Sequence, residues 1–292
     1  MPVLIDAHVH VHPMFSMHGL LDHALENFTS AGHYLNKRLK TKVPEPADFV
    51  LILTETSNIS VFKKLLKRCG ADDCVLSSND PSSENHWTIS PAEGGKALVA
   101  TRREMEIIYL LPGKQYTSSE NLELLSIAEV VNISDKQNTL LECAGQVWAA
   151  GGIPVVPWGV GKWTGQRREI ITAYLTEPAD FPKVIGDNGN RPFFWALPEF
   201  THLNTAERPL KLSGSDPLPL RAHVKRAGSF GSCLQNSTVA PSLPAQSIKS
   251  MLLEDSAITP YGTPAGLFRF LHDQFLINIR KRFPVFFPPT VP

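Results

Sequence analysis

Val3-Leu4-Ile5-Asp6-Ala7-His8-Val9-His10 is the stretch on which both the fold and the chemistry turn. An apolar run that starts almost at the N-terminus ends on two histidines one residue apart. Side chains at i and i+2 of a strand point to the same face. The two imidazoles therefore stand side by side at a strand end, which is half of a divalent-metal site. If that strand belongs to a barrel, its C-terminal end opens at the mouth, where barrel enzymes carry their chemistry.

Working outward, short apolar segments alternate with longer helical patterns, which is the signature of βα units and a parallel sheet. Strands are predicted over Val3–Ala7, Phe49–Thr54, Cys74–Ser77, Lys96–Ala100, Ile107–Pro112, Ile153–Pro157, Lys183–Gly186 and Leu210–Ser213. Helices are predicted over Val61–Cys69, Leu122–Val130, Lys136–Ala150, Trp163–Tyr174, Ile248–Leu253 and Thr263–Arg280. A first crossover helix of poor pattern is expected between His12 and Val43. Gly151-Gly152 and Gly70 read as helix stops. The fold class this implies is α/β, a TIM-like (β/α) barrel, distorted, with seven or eight strands. The barrel occupies 1–255, and 256–292 forms a C-terminal helix and an extended Pro/Phe-rich tail packed on it. Val285-Phe286-Phe287 would dock on the body or on a second subunit.

The 292 residues suffice for one large domain with a sizeable core, and 42% hydrophobic residues is ordinary for a globular chain. Lys plus Arg and Asp plus Glu number 28 each. That balance lends no support to nucleic acid or an anionic membrane as partner, so the expected partner is a small-molecule substrate, with homo-oligomerisation through the C-terminal tail. The start lacks a basic n-region and a long apolar h-region, and no run of 18 apolar residues occurs. A cytoplasmic location is the expectation. Cys69, Cys74, Cys143 and Cys233 fit no zinc-knuckle spacing and read as reduced structural thiols.

Imidazole nitrogens suit Zn first, with Fe, Mn or Ni as alternatives, and carboxylates complete such sites. His12 stands two residues beyond His10 and precedes Pro13, which favours an extended backbone. His8, His10 and His12 are therefore all candidate ligands. Asp216, in Leu212-Ser213-Gly214-Ser215-Asp216-Pro217, follows a late strand that a closed barrel brings beside the first. There it would ligate the same ion or act as a base. The competing readings are polar residues at a strand end for the histidines and a turn cap for Asp216.

These segments resemble the polymerase-and-histidinol-phosphatase (PHP) family of barrel metallohydrolases, within the wider set that includes the amidohydrolases. Ile5-Asp6-Ala7-His8-Val9-His10 resembles the first metal motif. Leu111-Pro112-Gly113-Lys114-Gln115 with Leu122-Glu123-Leu124-Leu125 resembles the glycine-plus-carboxylate strand and its following helix. Ala149-Ala150-Gly151-Gly152-Ile153-Pro154-Val155-Val156-Pro157-Trp158 resembles the strand that normally ends in a His-Pro ligand. Val184-Ile185-Gly186-Asp187-Asn188 sits where a later strand delivers polar groups, and Leu212-Ser213-Gly214-Ser215-Asp216 resembles the final Gly-Ser-Asp motif. The resemblance covers most of residues 1–232 and implies a phosphoester substrate, with a C–N bond as the alternative.

The departures bear on the ion count. Gln115 stands where the family has a metal-bridging Glu, Trp158 where it has a His, and Pro217 or Leu218 where it has another. Gln is a poor ligand and Trp is none. A reduced site of His8, His10 and Asp216 still suits one ion, whereas full decay would leave a barrel that only binds. Replacement ligands are sought at Glu55, Asp80, Asp187, Glu199 and His202. Asp216, Asp187, Gln115 and Lys114 are the groups expected to take part in the reaction. Lys114 and Tyr116, or Lys162 and Arg167, would meet an anionic group. Trp158, Trp163 and Trp195 would wall an apolar pocket or simply cover the core edge. No nucleophile elbow, phosphate loop or dinucleotide fingerprint occurs.

Overall fold

A computed structural model describes residues 2–39, 47–56, 60–70, 72–77, 85–103, 105–159, 161–195, 198, 209–235, 237–254 and 258–282. Eight strands close into a ring. They are β1 (Val3–Val9), β2 (Asp48–Glu55), β6 (Glu106–Thr117), β7 (Glu123–Ile127), β8 (Ile153–Pro157), β9 (Val184–Asn188), β10 (Leu210–Gly214) and β11 (Phe230–Leu234). The order runs β2-β1-β11-β10-β9-β8-β7-β6, and β6 pairs back onto β2. Six strands run parallel, while β7 and β11 are antiparallel to both neighbours. The barrel is therefore mixed, not the eight parallel strands of a TIM arrangement.

Two of the strands predicted for the ring lie outside it. β3 (Cys74–Leu76), β4 (Trp87–Ala92) and β5 (Ala97–Arg102) form an antiparallel flap on the first half of β6. β12 (Ile258–Gly262) flanks β11. The ring is completed instead by β11 and by β7, which was predicted as a helix over Leu122–Val130. The physical reason is burial on both faces. Leu125 and Ile127 join one apolar cluster and Leu124 another. A strand covered on both sides is a near-continuous apolar run that short-range periodicity does not separate from a buried helix.

All eight ring strands contribute to one apolar cluster, including Val3, Val50, Leu111, Leu125, Val155, Val184, Leu212 and Leu234. Only the interior of a closed barrel is shared by every strand, so this is the barrel core. Ile248, Met251 and Leu252 of α5 (Pro244–Leu253) join it. Outside, α1 (Met17–Leu39) buries Leu20, Leu21, Ala24 and Phe28 with the outward Leu4, Leu51 and Leu53, and α2 (Val61–Cys69) adds Phe62 and Leu65. α3 (Leu140–Ala149) and α4 (Gln166–Thr176) cover β6 to β9 through Ala144, Val147, Ile171 and Tyr174. Local signals set the helix starts: Ser60 Oγ accepts from Lys63 N–H at 3.1 Å, and Thr139 and Glu142 form a capping box. Cys69 and Cys74 form a disulfide between the end of α2 and the start of β3, with Cα atoms 4.7 Å apart, in place of the reduced thiols expected. The turn at Gly70 brings them together, which their spacing does not reveal. The C-terminal helix is α6 (Leu267–Arg282); Val285-Phe286-Phe287 and the rest of the tail lie outside the described residues. Among the described residues, no helix is long and apolar enough to cross a membrane.

Candidate metal centre at the barrel mouth

The C-terminal ends of the six parallel strands meet at one end of the barrel, and a bulge in β1 aims the histidines there. Asp6 pairs with Leu51, yet Val9 pairs with Leu53, so β1 carries one extra residue between them. The consequence is a change of parity. Ala7 lies in the inner cluster, as alternation from Val3 and Ile5 requires, whereas Val9 lies in the outer cluster with Leu4. Strict alternation would have put His8 and His10 outside with Leu4; the bulge turns both inward.

β10 delivers the third group. At its upper end it meets β1 directly: Asp216 N–H donates to His8 O at 2.8 Å. Asp6, now pointing outward and fully buried, locks the crossing. Its carboxylate accepts from Ser215 Oγ–H at 2.5 Å, from the N–H groups of Ser215 and Gly228 at 2.8 Å each, and from His8 N–H at 3.3 Å. Burial nevertheless pushes the Asp6 carboxyl up to about 7, those donors pulling the other way. Asp216 adopts a left-handed backbone, φ 46°, uncommon for a residue with a side chain and a sign that its surroundings hold it there.

The result is a triangle. His8 Nε2 and His10 Nε2 are 3.0 Å apart, and Asp216 Oδ1 is 3.7 Å from the first and 3.3 Å from the second. These three form a group with ligand atoms all within 4.8 Å of one another. Three ligands at about 2.0–2.1 Å from a tetrahedral ion stand roughly 3.3–3.4 Å apart, which the three edges bracket. Charge agrees with geometry. Burial pushes the His8 imidazole down to about 4 despite the opposing pull of Asp216, so its lone pair is available at neutral pH. Burial alone would raise the Asp216 carboxyl, but His8, His10 and the Asn188 amide outweigh it and hold the group well below the usual carboxylate range.

Of the other expected site residues, Gln115 faces the group and lies close enough to bear on the His8 ring. Lys114 is on the opposite face of β6, with Nζ 5.2 Å from the centroid of the outward Tyr116 ring. Glu55 also turns outward, where it accepts the Val61 N–H at the start of α2. His12 does not join the triangle; its ring hydrogen-bonds Pro217 O at 2.8 Å and so braces the chain beside Asp216. Asp187 points away and grips Arg191 at 2.6 and 3.1 Å. Trp158 and Trp163 pack in the outer cluster under α3 and α4, and Trp195 is exposed. Asp80, Glu199 and His202 lie outside the described residues.

Sequence reasoning missed several supporting groups. Asn188, next to the residue singled out, donates from Nδ2 to Asp216 Oδ2 at 2.5 Å, and Asn190 Nδ2 holds the Asp216 carbonyl. A one-residue shift of strand phase separates Asp187 from Asn188, and no local signal reveals it. Lys162, one of the cations expected to meet an anionic group, reaches the mouth, and what sequence reasoning missed is its ion pair with Glu123, formed because antiparallel β7 begins where its neighbours end. Asn188→Leu is expected to weaken divalent-metal affinity by roughly 10–100-fold, the usual cost of losing a hydrogen bond to a ligating carboxylate. Metal titration with a competing indicator checks this, and unchanged affinity removes Asn188 from the site.

The loop after Asp216 is pinned from α6. His223 Nδ1 accepts from Leu218 N–H at 3.0 Å and Nε2 donates to Asp273 at 3.1 Å, while Arg280 donates to Pro219 O. Burial holds the His223 imidazole below its ordinary value, Asp273 opposing. The unfolded chain therefore binds this proton more readily than the folded one. The contribution is fully present above the unfolded value, near 6.5, and is lost as pH falls below it. The melting-temperature advantage of the native chain over His223→Gln is expected to shrink between pH 8 and pH 5; a gap that does not depend on pH refutes this.

No protein-family model matches the chain, and no curated protein matches it in sequence. Its likeness is to solved structures. PsfC from Pseudomonas syringae PB-5123 superposes with TM-score 0.53 at 11% identity, over 94% of this chain and 97% of that one. Endonuclease Q, in complex with a 27-mer duplex substrate with an abasic lesion at the active site, gives TM-score 0.50 at 9% identity. The lesion-specific endonuclease PfuEndoQ from Pyrococcus furiosus gives 0.49 at 11%. This chain spans 58% of each endonuclease chain and is itself covered to 89%. At such identities the likeness is one of fold. It does correct one expectation: net neutrality lends no support to nucleic acid as a partner, yet endonuclease Q, a chain of similar fold, takes a duplex. Net charge is a sum over the whole surface and carries no information about the potential around one barrel mouth.

Proposed function

We propose that this chain is a metal-dependent hydrolase of PHP-like type, with one divalent cation held by His8, His10 and Asp216. The convergence of those three ligand atoms from β1 and the end of β10 supports this reading. When bound, such an ion would supply Lewis-acid chemistry, polarising the scissile group and lowering the pKa of water. The protein's own groups do the rest. Asp6 holds β1 against the 215–216 turn, Asn188 fixes the second carboxylate oxygen of Asp216, and Gln115 stands beside the His8 ring. Lys162, ion-paired to Glu123 at the rim, lies close enough to bear on both His8 and Asp216, and offers a cation to an anionic substrate oxygen.

Zn is the first choice of metal on the nitrogen-rich donor set. A phosphoester is the proposed substrate, from the motif resemblance, with an amide C–N bond as the second choice. Among the described residues, Gln115 and the outward Asp187 and Glu55 leave three candidate ligand atoms, enough for one ion, so a single-metal mechanism is preferred. The same neutral Gln115 favours one other reading, a barrel that retained the fold and lost catalysis. Metal analysis of the chain purified without chelator, followed by phosphomonoester, phosphodiester and amide panels with and without chelator, separates these. Stoichiometric metal with chelator-sensitive turnover supports the hydrolase; a metal-free chain of unchanged stability in chelator refutes it.

A further inference from the structure

We propose that α6 and the aromatic turn 193–195 form the contact surface for a second copy of this chain, giving a two-fold dimer. α6 is rich in Leu, Phe and Ile, yet Asp273 is its one buried residue. Leu267, Phe268, Leu271 and Phe275 follow the three- and four-residue spacing that lines up one stripe on a helix, and they are 41–88% exposed. Phe193, Phe194 and Trp195 lie alongside. Phe193 N–H donates to Ala265 O at 3.0 Å and Ala265 N–H to Arg191 O at 2.9 Å, so the turn runs beside the chain entering α6. Among the described residues, seven of the thirteen exposed large apolar ones fall in these two segments, and the others are scattered.

Size indicates a specific partner. With roughly 200 Å² per large side chain, seven side chains that are on average about three-fifths exposed present on the order of 800 Å². That exceeds the largest apolar patch of an ordinary monomer, roughly 300–600 Å², and equals one partner's share of a standard interface, about 800 Å². Shape indicates a like helix. A ridge of side chains three and four apart seats in the grooves of another helix, and a stripe lying on a two-fold axis meets itself, so one surface serves both partners. Leu267 and Leu271 sit mid-surface and offer no flat ring, unlike a base-stacking platform. Because α6 also holds His223 through Asp273 and Pro219 through Arg280, the dimer braces the loop that follows Asp216.

The test is sedimentation of the full chain over a wide concentration range, beside Phe268→Glu, the double variant Leu271→Glu/Phe275→Glu, and Met105→Glu. Met105 is 74% exposed on the distant β5–β6 turn and serves as control. The expected result is twice the chain mass for the native protein and for Met105→Glu, and a single-chain mass for the α6 variants, which still melt cooperatively but at a somewhat lower temperature because the partner's stabilisation is gone. A native chain that stays at single mass overturns the proposal, including one whose mass rises only when a duplex or lipid vesicles are added. A dimer that survives both α6 variants overturns it as well.

Discussion

Replacing His8 and His10 together by alanine is expected to give a folded chain that carries no stoichiometric divalent metal and has lost hydrolytic turnover by about a thousandfold or more. The magnitude follows from the several kcal/mol of charge stabilisation an ion supplies, at about 1.4 kcal/mol per factor of ten. Asp216→Asn is expected to fall in the same range. It keeps the shape of the side chain but removes the charge that two imidazoles and an amide now hold in place. Folding should survive the histidine changes, because both rings lie at the strand ends above the apolar core. Metal content by elemental analysis and circular dichroism together check this. Full metal occupancy in the double variant refutes the site; joint loss of metal and fold in the native chain on chelation would make the ion structural.

Gly214→Ala is expected to be one of the most damaging single-methyl additions in the molecule. A Cβ there would stand 2.4 Å from His8 Cβ, 2.5 Å from His8 N and 2.8 Å from His8 Cα. None of these belongs to the movable end of a side chain, so β1 and β10 must separate. Overpacking of this kind costs about 3 kcal/mol or more. The same movement breaks the Asp216 N–H to His8 O bond and pulls Asp216 from the imidazoles, so metal affinity should fall along with stability. Gly145→Ala provides the contrast. It lies within α3 with open space around it, and is expected to stabilise by up to about 1 kcal/mol. Denaturant melts of the two variants settle the comparison; equal stability would mean that β1 and β10 tolerate a wider separation.

Much of the centre was legible before the structure, for a specific reason. His-x-His at a strand end and Ser-Asp after a late strand are local patterns, and a closed barrel has to bring first and late strands together. What failed was phase. The sequence points to Asp187 and not to Asn188, and places Lys114 with Gln115, because facing depends on where each strand begins its alternation. Leu124 and Leu125 illustrate the same limit in the fold. Both are buried, on opposite faces of β7, so the apolar run carries no record of which face is which.

The sequence by itself determined that the chain is an α/β barrel with a His8–His10 pair and a distant Asp216 at its mouth, because strand length, helix stops and motif order are written in neighbouring residues. Tertiary structure decided which strands close the ring, that two of them run backwards, and that Asn188 rather than Asp187 supports the carboxylate. It also decided that His8 and His10 face inward at all. One extra residue in β1 reverses the facing of everything after it, and that bulge exists only in the pairing of β1 with β2, between residues more than forty positions apart.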